Sequence, residues 1–489
     1  MKIIQWNCQI YNSIMIYNSF SQLLNEFFGR TSKALVFEDR NLPGGRGSLT
    51  YPEFASLIRS LMPDVSISGA SVDFVRTNHS PEVLIRIFAD VIAGVTVVLL
   101  DPLLPPLREQ AVRKLLTPRL EETEKSGSGK YEAAQPGEHI QEGRLIFFTS
   151  GTTHSSRAVV LSAAALLHAA WRGQECLPIG QDDTLLSLLP LSHVFGFVCT
   201  MLWGLCYGAT VALGRGTRHL MDDPKFFRPT VLPLVPALAS AMTRFGCYNA
   251  ELKTVLIGAA PLGNAELQAM KKKTEADIYT GYGLTETASG VAITEDTEDP
   301  YALRVCPGVE LKLGQDSEIL LKTDSLLERY IELLPLPEHL PEHLTDVLRR
   351  PEDAPLLDDE GFFHTGDVGF FDKNGRIHIS GRKKDVLVLP DGTKIFCPEY
   401  EEALSEALGT DELAVTLRRG RAVLLVQDKV RKEAAEAAVS DLNRKLPRSQ
   451  QIAGILSVSV PLPRTLTGKL KRWMIEKAIL KGDFEEWKQ

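Results

Sequence analysis

Between Thr184 and Gly214 the chain carries no Asp, Glu, Lys or Arg, and this run constrains the fold more than any other feature. It is long enough to cross a bilayer. It is also broken by Pro190, Ser192, His193 and four glycines (Gly196, Gly204, Gly208, Gly214), which a spanning helix would not favour. The reading adopted is a buried loop, helix and strand inside a large apolar core, with no integral membrane span. Such a wall would suit a greasy substrate and leaves room for peripheral membrane contact.

The rest of the chain supplies enough material for that core. At 489 residues, and roughly 150 per domain, two to four domains are expected. With 44% hydrophobic and 24% charged residues the composition is globular, not disordered or collagen-like. A net charge of −8 argues against nucleic acid, whose phosphates attract basic faces. Seven scattered cysteines form no C-x-x-C pair, which speaks against a zinc ribbon and for a reducing cytoplasm. The N-terminal Met1 to Asn7 interleaves Asn and Gln with apolar residues, unlike a signal peptide.

Short apolar runs alternate with helical periodicity through the first half. Glu82–Ala93 predicts a helix; Val95–Leu100, Leu145–Phe148 and Thr254–Ile257 predict buried strands, which together argue for α/β layers. Glu121–Gly137 and Leu334–Gly361 are read as loops, and His339 and His343 in the second as solvated, since Pro341 separates them. Beyond Lys384 the pattern changes. Glu412–Gln427 predicts a hairpin turning at Arg418–Arg421, Lys429–Leu446 a helix with Val430, Ala434, Ala438, Leu442 and Leu446 on one stripe, and Ile455–Val460 a strand. The expected architecture is a large α/β body of layered mixed sheets and helices over 1–383. A small α+β C-terminal domain follows over 384–489.

Four motifs carry chemistry. Phe148-Thr149-Ser150-Gly151-Thr152-Thr153 follows a strand and offers hydroxyls and backbone N–H groups to an anion, without Walker spacing. Thr280-Gly281-Tyr282-Gly283-Leu284-Thr285-Glu286-Thr287 frames a planar ring with glycines and adds a carboxylate suited to Mg²⁺. His364-Thr365-Gly366-Asp367, with Ser380-Gly381-Arg382-Lys383-Lys384-Asp385, places a carboxylate that can accept two ribose hydroxyls near an Arg that can fork onto oxygens. Pro463-Arg464-Thr465-Leu466-Thr467-Gly468-Lys469 presents a lysine after a glycine. Each alone is also what a polar turn or a solvated charge run looks like.

In this order and spacing the four motifs resemble those of the adenylate-forming superfamily, which includes acyl-CoA synthetases, luciferases and peptide-synthetase adenylation domains. The likeness extends from Tyr51–Asp101 through Arg472. It implies the adenylate-forming enzyme fold and an AMP-forming acid–thiol ligase of the long-chain acyl-CoA synthetase type using ATP, Mg²⁺ and CoA. By resemblance, Thr149, Ser150, Gly151, Thr152 and Thr153 hold the ATP phosphates. Gly258, Ala259, Ala260 and Pro261 wall the adenine, and Tyr282, between Gly281 and Gly283, stacks on it. Thr285 touches the α-phosphate and Glu286 binds Mg²⁺. Asp367, with Arg382 nearby, takes the ribose. Lys469 bridges carboxylate and phosphate, Lys384 is the hinge of the C-terminal domain, and His193 lines the acyl site.

The sequence departs from the family after Thr153. His154-Ser155-Ser156-Arg157-Ala158 replaces Gly-x-Pro-Lys-Gly, so Arg157 keeps the charge with a different donor geometry. Cys397 stands where proline is usual and reads as structural. The uncharged segment around His193 has no carboxylate to pair an α-ammonium, which favours a plain carboxylic acid, such as a fatty acid, over an amino acid. Two alternatives stand beside it. The acyl group could pass to the phosphopantetheine of an acyl carrier protein acting in trans. Alternatively, the chain is a catalytically silent nucleotide- or lipid-binding homologue.

Overall fold

The computed structural model describes residues 15–39, 41–42, 45–68, 70–126, 141–149, 156–295, 297–333, 357–390, 393–464, 470, 472, 474–475 and 485–487. Sequence expectations for Met1–Asn7, Ser150–Ser155, His339, His343 and Lys469 lie outside them.

The apolar runs become strands because each is flanked by residues that end it. Thr254–Ile257 is a strand as expected, Thr96–Leu100 and Arg144–Phe148 match theirs within a residue, and Pro81–Ile92 is a helix. That helix starts where it does because the Ser80 hydroxyl accepts from the Val83 N–H and a proline occupies its first turn. Leu84, Ile87, Phe88 and Val91 then fall on its buried side.

Among the described residues the largest sheet has thirteen strands and two characters. One half is parallel: Leu35–Val36, Val211–Ala212, Leu185, Val231 and Thr254–Ile257 pair in turn, and Thr254–Ile257 pairs with Asp277–Thr280. The other half is antiparallel, and it begins on the same strand. Asp277–Leu284 pairs parallel through Thr280 and antiparallel with Ser289–Thr294 from Gly281 onward. The change of direction therefore falls inside the Thr280–Thr287 motif. In open α/β sheets ligands bind beyond the carboxyl ends of the parallel strands, which is where this motif begins. A second sheet joins Val72–Arg76, Thr96–Leu100, Arg144–Phe148, Ser156–Ser162 and Arg329–Leu333.

The uncharged run folds into the core. Thr184–Ser187 and Thr210–Leu213 are neighbouring parallel strands, and between them Val194–Phe197, Val198–Leu202 and Trp203–Tyr207 form one continuous helical path. Its central piece is π-helical. Met201, Leu202, Trp203 and Leu205 are buried. No helix among the described residues is long and apolar enough to cross a membrane.

In the C-terminal region Leu413–Arg418 and Arg421–Gln427 form the expected hairpin, with Arg419 and Gly420 both at positive φ in its turn. Lys432–Lys445 is the expected helix. Leu387, Ile395, Leu404, Leu424, Val439 and Ile455 belong to an apolar cluster of their own.

Two local expectations are corrected. Glu121–Ser126 is not loop but the last part of the helix Pro106–Ser126, which continues past Pro118. On the helix Lys432–Lys445 the buried residues are Ala435, Ala438 and Val439, so the stripe runs beside Ala434 and not through it.

Candidate active site

The strand Asp277–Leu284 ends in a single 3₁₀ turn, Thr285–Thr287, which presents Thr285 and Glu286. The turn is tightly tied. The Thr287 hydroxyl donates to the Ser289 carbonyl at 2.7 Å and accepts the Leu284 N–H at 3.0 Å. Gly283 is required here, because a Cβ would stand 2.1 Å from the Ser289 carbonyl oxygen. Beneath the turn lies Arg172, a fully buried side chain that the sequence did not single out. It donates to the Thr287 carbonyl at 3.3 Å, the Gly290 carbonyl at 3.3 Å and the Thr323 hydroxyl at 3.0 Å. Burial lowers its pKa to about 10, so it stays charged and works as a rivet.

Two motifs far apart in sequence meet at one face of the sheet. The Tyr282 hydroxyl donates to Asp367 Oδ2 at 2.6 Å, and Arg382 Nε lies 2.8 Å from Asp367 Oδ1. Asp367 and Arg382 face each other because Phe363–Phe371 and Ile377–Arg382 pair antiparallel in that register. Arg382 also donates to the Thr365 carbonyl at 3.2 Å. Asp367 is buried at 3% exposure, so its charge needs these partners. Burial and the neighbouring carboxylate hold the Tyr282 phenol well above its ordinary pKa, keeping it a donor.

Next to them runs the segment Gly258-Ala259-Ala260-Pro261, at the carboxyl end of the strand Thr254–Ile257. Ala259 has a positive φ of 66°. Gly258 is buried against Phe195: a Cβ would lie 2.7 Å from its ring. The segment expected to wall a base thus touches the apolar run directly. His193 precedes Val194–Phe197 and is exposed, yet protein packed around it lowers its imidazole pKa by desolvation, partly countered by the Asp101 carboxylate. The Pro190–His193 loop is held from outside by His79, whose Nε2 is 3.1 Å from the Leu189 carbonyl.

Of the residues expected to hold phosphates, Thr149 is described. Its N–H donates to the Arg157 carbonyl at 3.0 Å, closing the base of the loop. Ser150, Gly151, Thr152 and Thr153 lie outside the described residues, as does Lys469. The Arg157 guanidinium lies over the Tyr330 ring, 5.0 Å from its centroid. The Tyr330 hydroxyl in turn donates to Glu286 Oε1 at 2.9 Å. Tyr330 was also missed, since an isolated aromatic in a short strand gives no signal of its partner. Lys384 lies in the 3₁₀ turn Lys383–Asp385 that follows Ile377–Arg382. Cys397 is buried at the start of the helix Cys397–Leu408, and burial pushes its thiol up to about 12, which fits the inert, structural reading.

The donor set has a clear chemical character. A carboxylate, a phenol and a guanidinium converge where vicinal hydroxyls could be held. Beside them one carboxylate, Glu286, stands on a turn at the strand ends. Among the described residues no group of three or more His, Cys, Asp or Glu side chains could hold a metal. A single carboxylate suits Mg²⁺, which is commonly bound through one or two carboxylates together with substrate phosphates.

Residues 110–322 match the model of the AMP-binding enzyme family. The chain is 29% identical over 287 residues to a 3-[(3aS,4S,7aS)-7a-methyl-1,5-dioxo-octahydro-1H-inden-4-yl]propanoyl:CoA ligase of Rhodococcus jostii, a match covering 55% of this chain and 51% of that protein. It is 28% identical over 326 residues to the human long-chain-fatty-acid–CoA ligase 1, covering 53% of this chain and 43% of that one. The chain thus spans about half the length of these curated relatives. Among solved structures, o-succinylbenzoate CoA synthetase from Bacillus subtilis, in complex with its acyl-adenylate intermediate, superposes with a TM-score of 0.73. The sequence identity is 18%, over 95% of this chain and 99% of that one. The fold is that of this CoA synthetase, and residues 110–322 are similar to the AMP-binding enzyme family.

Proposed function

From the premise of an AMP-binding enzyme domain in an adenylate-forming fold, we propose that the protein activates a carboxylic acid with ATP and passes the acyl group to the thiol of CoA. The observation that carries this reading is the Tyr282–Asp367–Arg382 cluster beside Thr285–Glu286, at the point where the great sheet changes direction.

In the first step a carboxylate oxygen attacks the α-phosphorus of ATP, an acyl–O–P bond forms, and pyrophosphate leaves with the electrons of the broken P–O bond. Two anions must approach each other, so groups that meet developing charge matter most. Asp367 would take the ribose hydroxyls while Tyr282 and Arg382 hold it in place. Gly258 to Pro261 and Tyr282 would wall the base, and Thr149 to Thr153 the phosphates. Thr285 would touch the α-phosphate, and Lys469 would bridge it to the acid. A magnesium ion at Glu286 would neutralise phosphate charge. In the second step the thiol sulfur attacks the acyl carbon and AMP leaves. A body over 1–383 and a module over 384–489, turning at Lys384, would let one cleft serve both steps.

The uncharged wall from Thr184 to Gly214 supports an acid without a second charge, and we assign an aliphatic or fatty acid. The relatives act on acids as different as a fused-ring propanoate and a long-chain fatty acid, so the wall and not the kinship carries this choice. The free cysteines among the described residues agree with a reducing, cytoplasmic setting.

Pyrophosphate release across a panel of carboxylic acids, with and without CoA, tests the reading. Release with apolar monocarboxylates and thioester formation with CoA is expected. Adenylate formation without thioester would redirect the second step to a carrier-protein phosphopantetheine, and no release with any acid would leave a silent nucleotide-binding protein.

A further inference from the structure

We propose that Tyr330 is a positioning residue for the metal carboxylate Glu286, braced from behind by Arg157; this rests on the reading of Glu286 as the Mg²⁺ ligand. The three residues come from three places in the chain. Glu286 stands on the turn after the strand Asp277–Leu284, Tyr330 on the strand Arg329–Leu333, and Arg157 on the strand Ser156–Ser162, just beyond the phosphate loop.

The backbone brings them together by register. Arg329–Leu333 pairs antiparallel with Ser156–Ser162 so that Tyr330 stands opposite Val159 and Glu332 opposite Arg157. Arg157, two residues from Val159, is then the diagonal neighbour of Tyr330 on the same face, within reach of a long side chain. Its guanidinium lies over the Tyr330 ring at 5.0 Å. The turn is docked on the residues that lead into the Tyr330 strand: the Leu327 N–H donates to the Glu286 carbonyl at 2.8 Å, and the Glu328 N–H to the Val160 carbonyl at 2.9 Å.

The phenol donates to Glu286 Oε1 at 2.9 Å. A carboxylate with one oxygen engaged by a fixed donor has lost its freedom to swing, so Oε2 is the oxygen left to take a cation. Outer partners of this kind orient the ligand and typically change metal affinity about 10–100-fold when removed. Arg157, which stands in place of the lysine usual in the family, therefore acts on the metal through Tyr330 and links the base of the phosphate loop to the metal carboxylate.

The test is binding of Mn²⁺ with a nonhydrolysable ATP analogue to the full chain, followed by electron paramagnetic resonance. Tyr330→Phe keeps the ring and its stacking and removes the hydroxyl that donates to Glu286 and faces Arg157. It should raise the Mn²⁺ dissociation constant by about 10–100-fold with an unchanged thermal midpoint. Arg157→Gln should raise it about two- to fivefold. Tyr330→Phe combined with Glu286→Gln should bind no more weakly than Glu286→Gln alone, because the two act as one unit. If Glu286→Gln weakens Mn²⁺ binding while Tyr330→Phe stays within about twofold of the unaltered protein, the positioning role is overturned and the metal reading stands. If Glu286→Gln itself leaves Mn²⁺ binding unchanged, both fall.

Discussion

Two regions of the molecule are built on opposite principles. Around Tyr282 and Glu286, where we propose the nucleotide binds, polar groups are few and each is gripped: Asp367 receives Tyr282 and Arg382, Glu286 receives Tyr330, and the turn between them is bolted by Arg172. The Thr184–Gly214 run, which we propose faces the acyl group, offers bulk and shape. Its helical path contains a π-turn, and the Ser192 hydroxyl is buried without a hydrogen-bond partner. A charged transition state needs prearranged dipoles, whereas an apolar chain needs only volume and the absence of charge. Under the proposed function, the difference separates chemistry, held in single residues, from substrate choice, spread over a whole surface.

The largest test of that division is Lys469→Ala. If the polar side carries the chemistry, acid-dependent ATP–pyrophosphate exchange should fall by on the order of 10²–10³ or more, while binding of ATP itself changes little. Unchanged exchange would remove Lys469 from the reaction. Asp367→Ala should come next. It strips a buried acceptor from Tyr282 and Arg382, and ATP binding measured by calorimetry should weaken about 10–100-fold whichever acid is used, in line with hydrogen bonds to charged groups. An effect that varied with the acid would show that the two sides are not separable.

One contact between them, Gly258 against Phe195, sharpens the comparison. Gly258→Ala puts a methyl 2.7 Å from the ring, so either the base wall or the apolar run must shift. A loss of about 1–3 kcal/mol in unfolding free energy is expected, the usual penalty of overpacking. Michaelis constants for ATP and for acid should rise together, in contrast to Asp367→Ala.

The same division explains what could be read from the sequence. Motif residues such as Tyr282, Asp367 and Arg382 stood out because their chemistry is local, and buried strands such as Thr254–Ile257 because apolar runs bounded by Gly-Pro segments have few other fates. Tyr330 did not stand out, since its meaning depends on an antiparallel register between segments separated by 44 positions from Glu286 and far more from Arg157. Arg172 was hidden because a lone arginine on a helix looks solvated until three carbonyls and hydroxyls are folded around it. Glu121–Ser126 was misread because the apolar stripe of that helix, Val112, Leu116 and Leu120, stops before it and the polar residues that follow carry no periodic signal. The proposed acyl preference rests in the sequence on the absence of charge alone, because volume is set by side chains that the fold assembles.

The smallest expected effect concerns how firmly the acyl side is pinned. His79 holds the Leu189 carbonyl at 3.1 Å, next to the loop that leads to His193. Burial lowers its pKa below the ordinary 6.5, although the hydrogen bond pulls the other way. The unfolded chain therefore takes up a proton at His79 before the folded chain does. Its contribution to stability is full above about pH 6.5 and declines as pH falls from there towards the lowered pKa. Below that pKa it changes no further. His79→Gln keeps an N–H donor for the Leu189 carbonyl but cannot titrate, so thermal midpoints followed from pH 7.5 to 5 should fall less steeply than in the unaltered protein. A remaining slope is expected, because His168 and His193 are shifted in the same direction by burial. If the two slopes coincide, His79 is not what ties the acyl wall to acid stability. A variant that loses stability equally at every pH would instead show that Gln fails to keep the bond to Leu189.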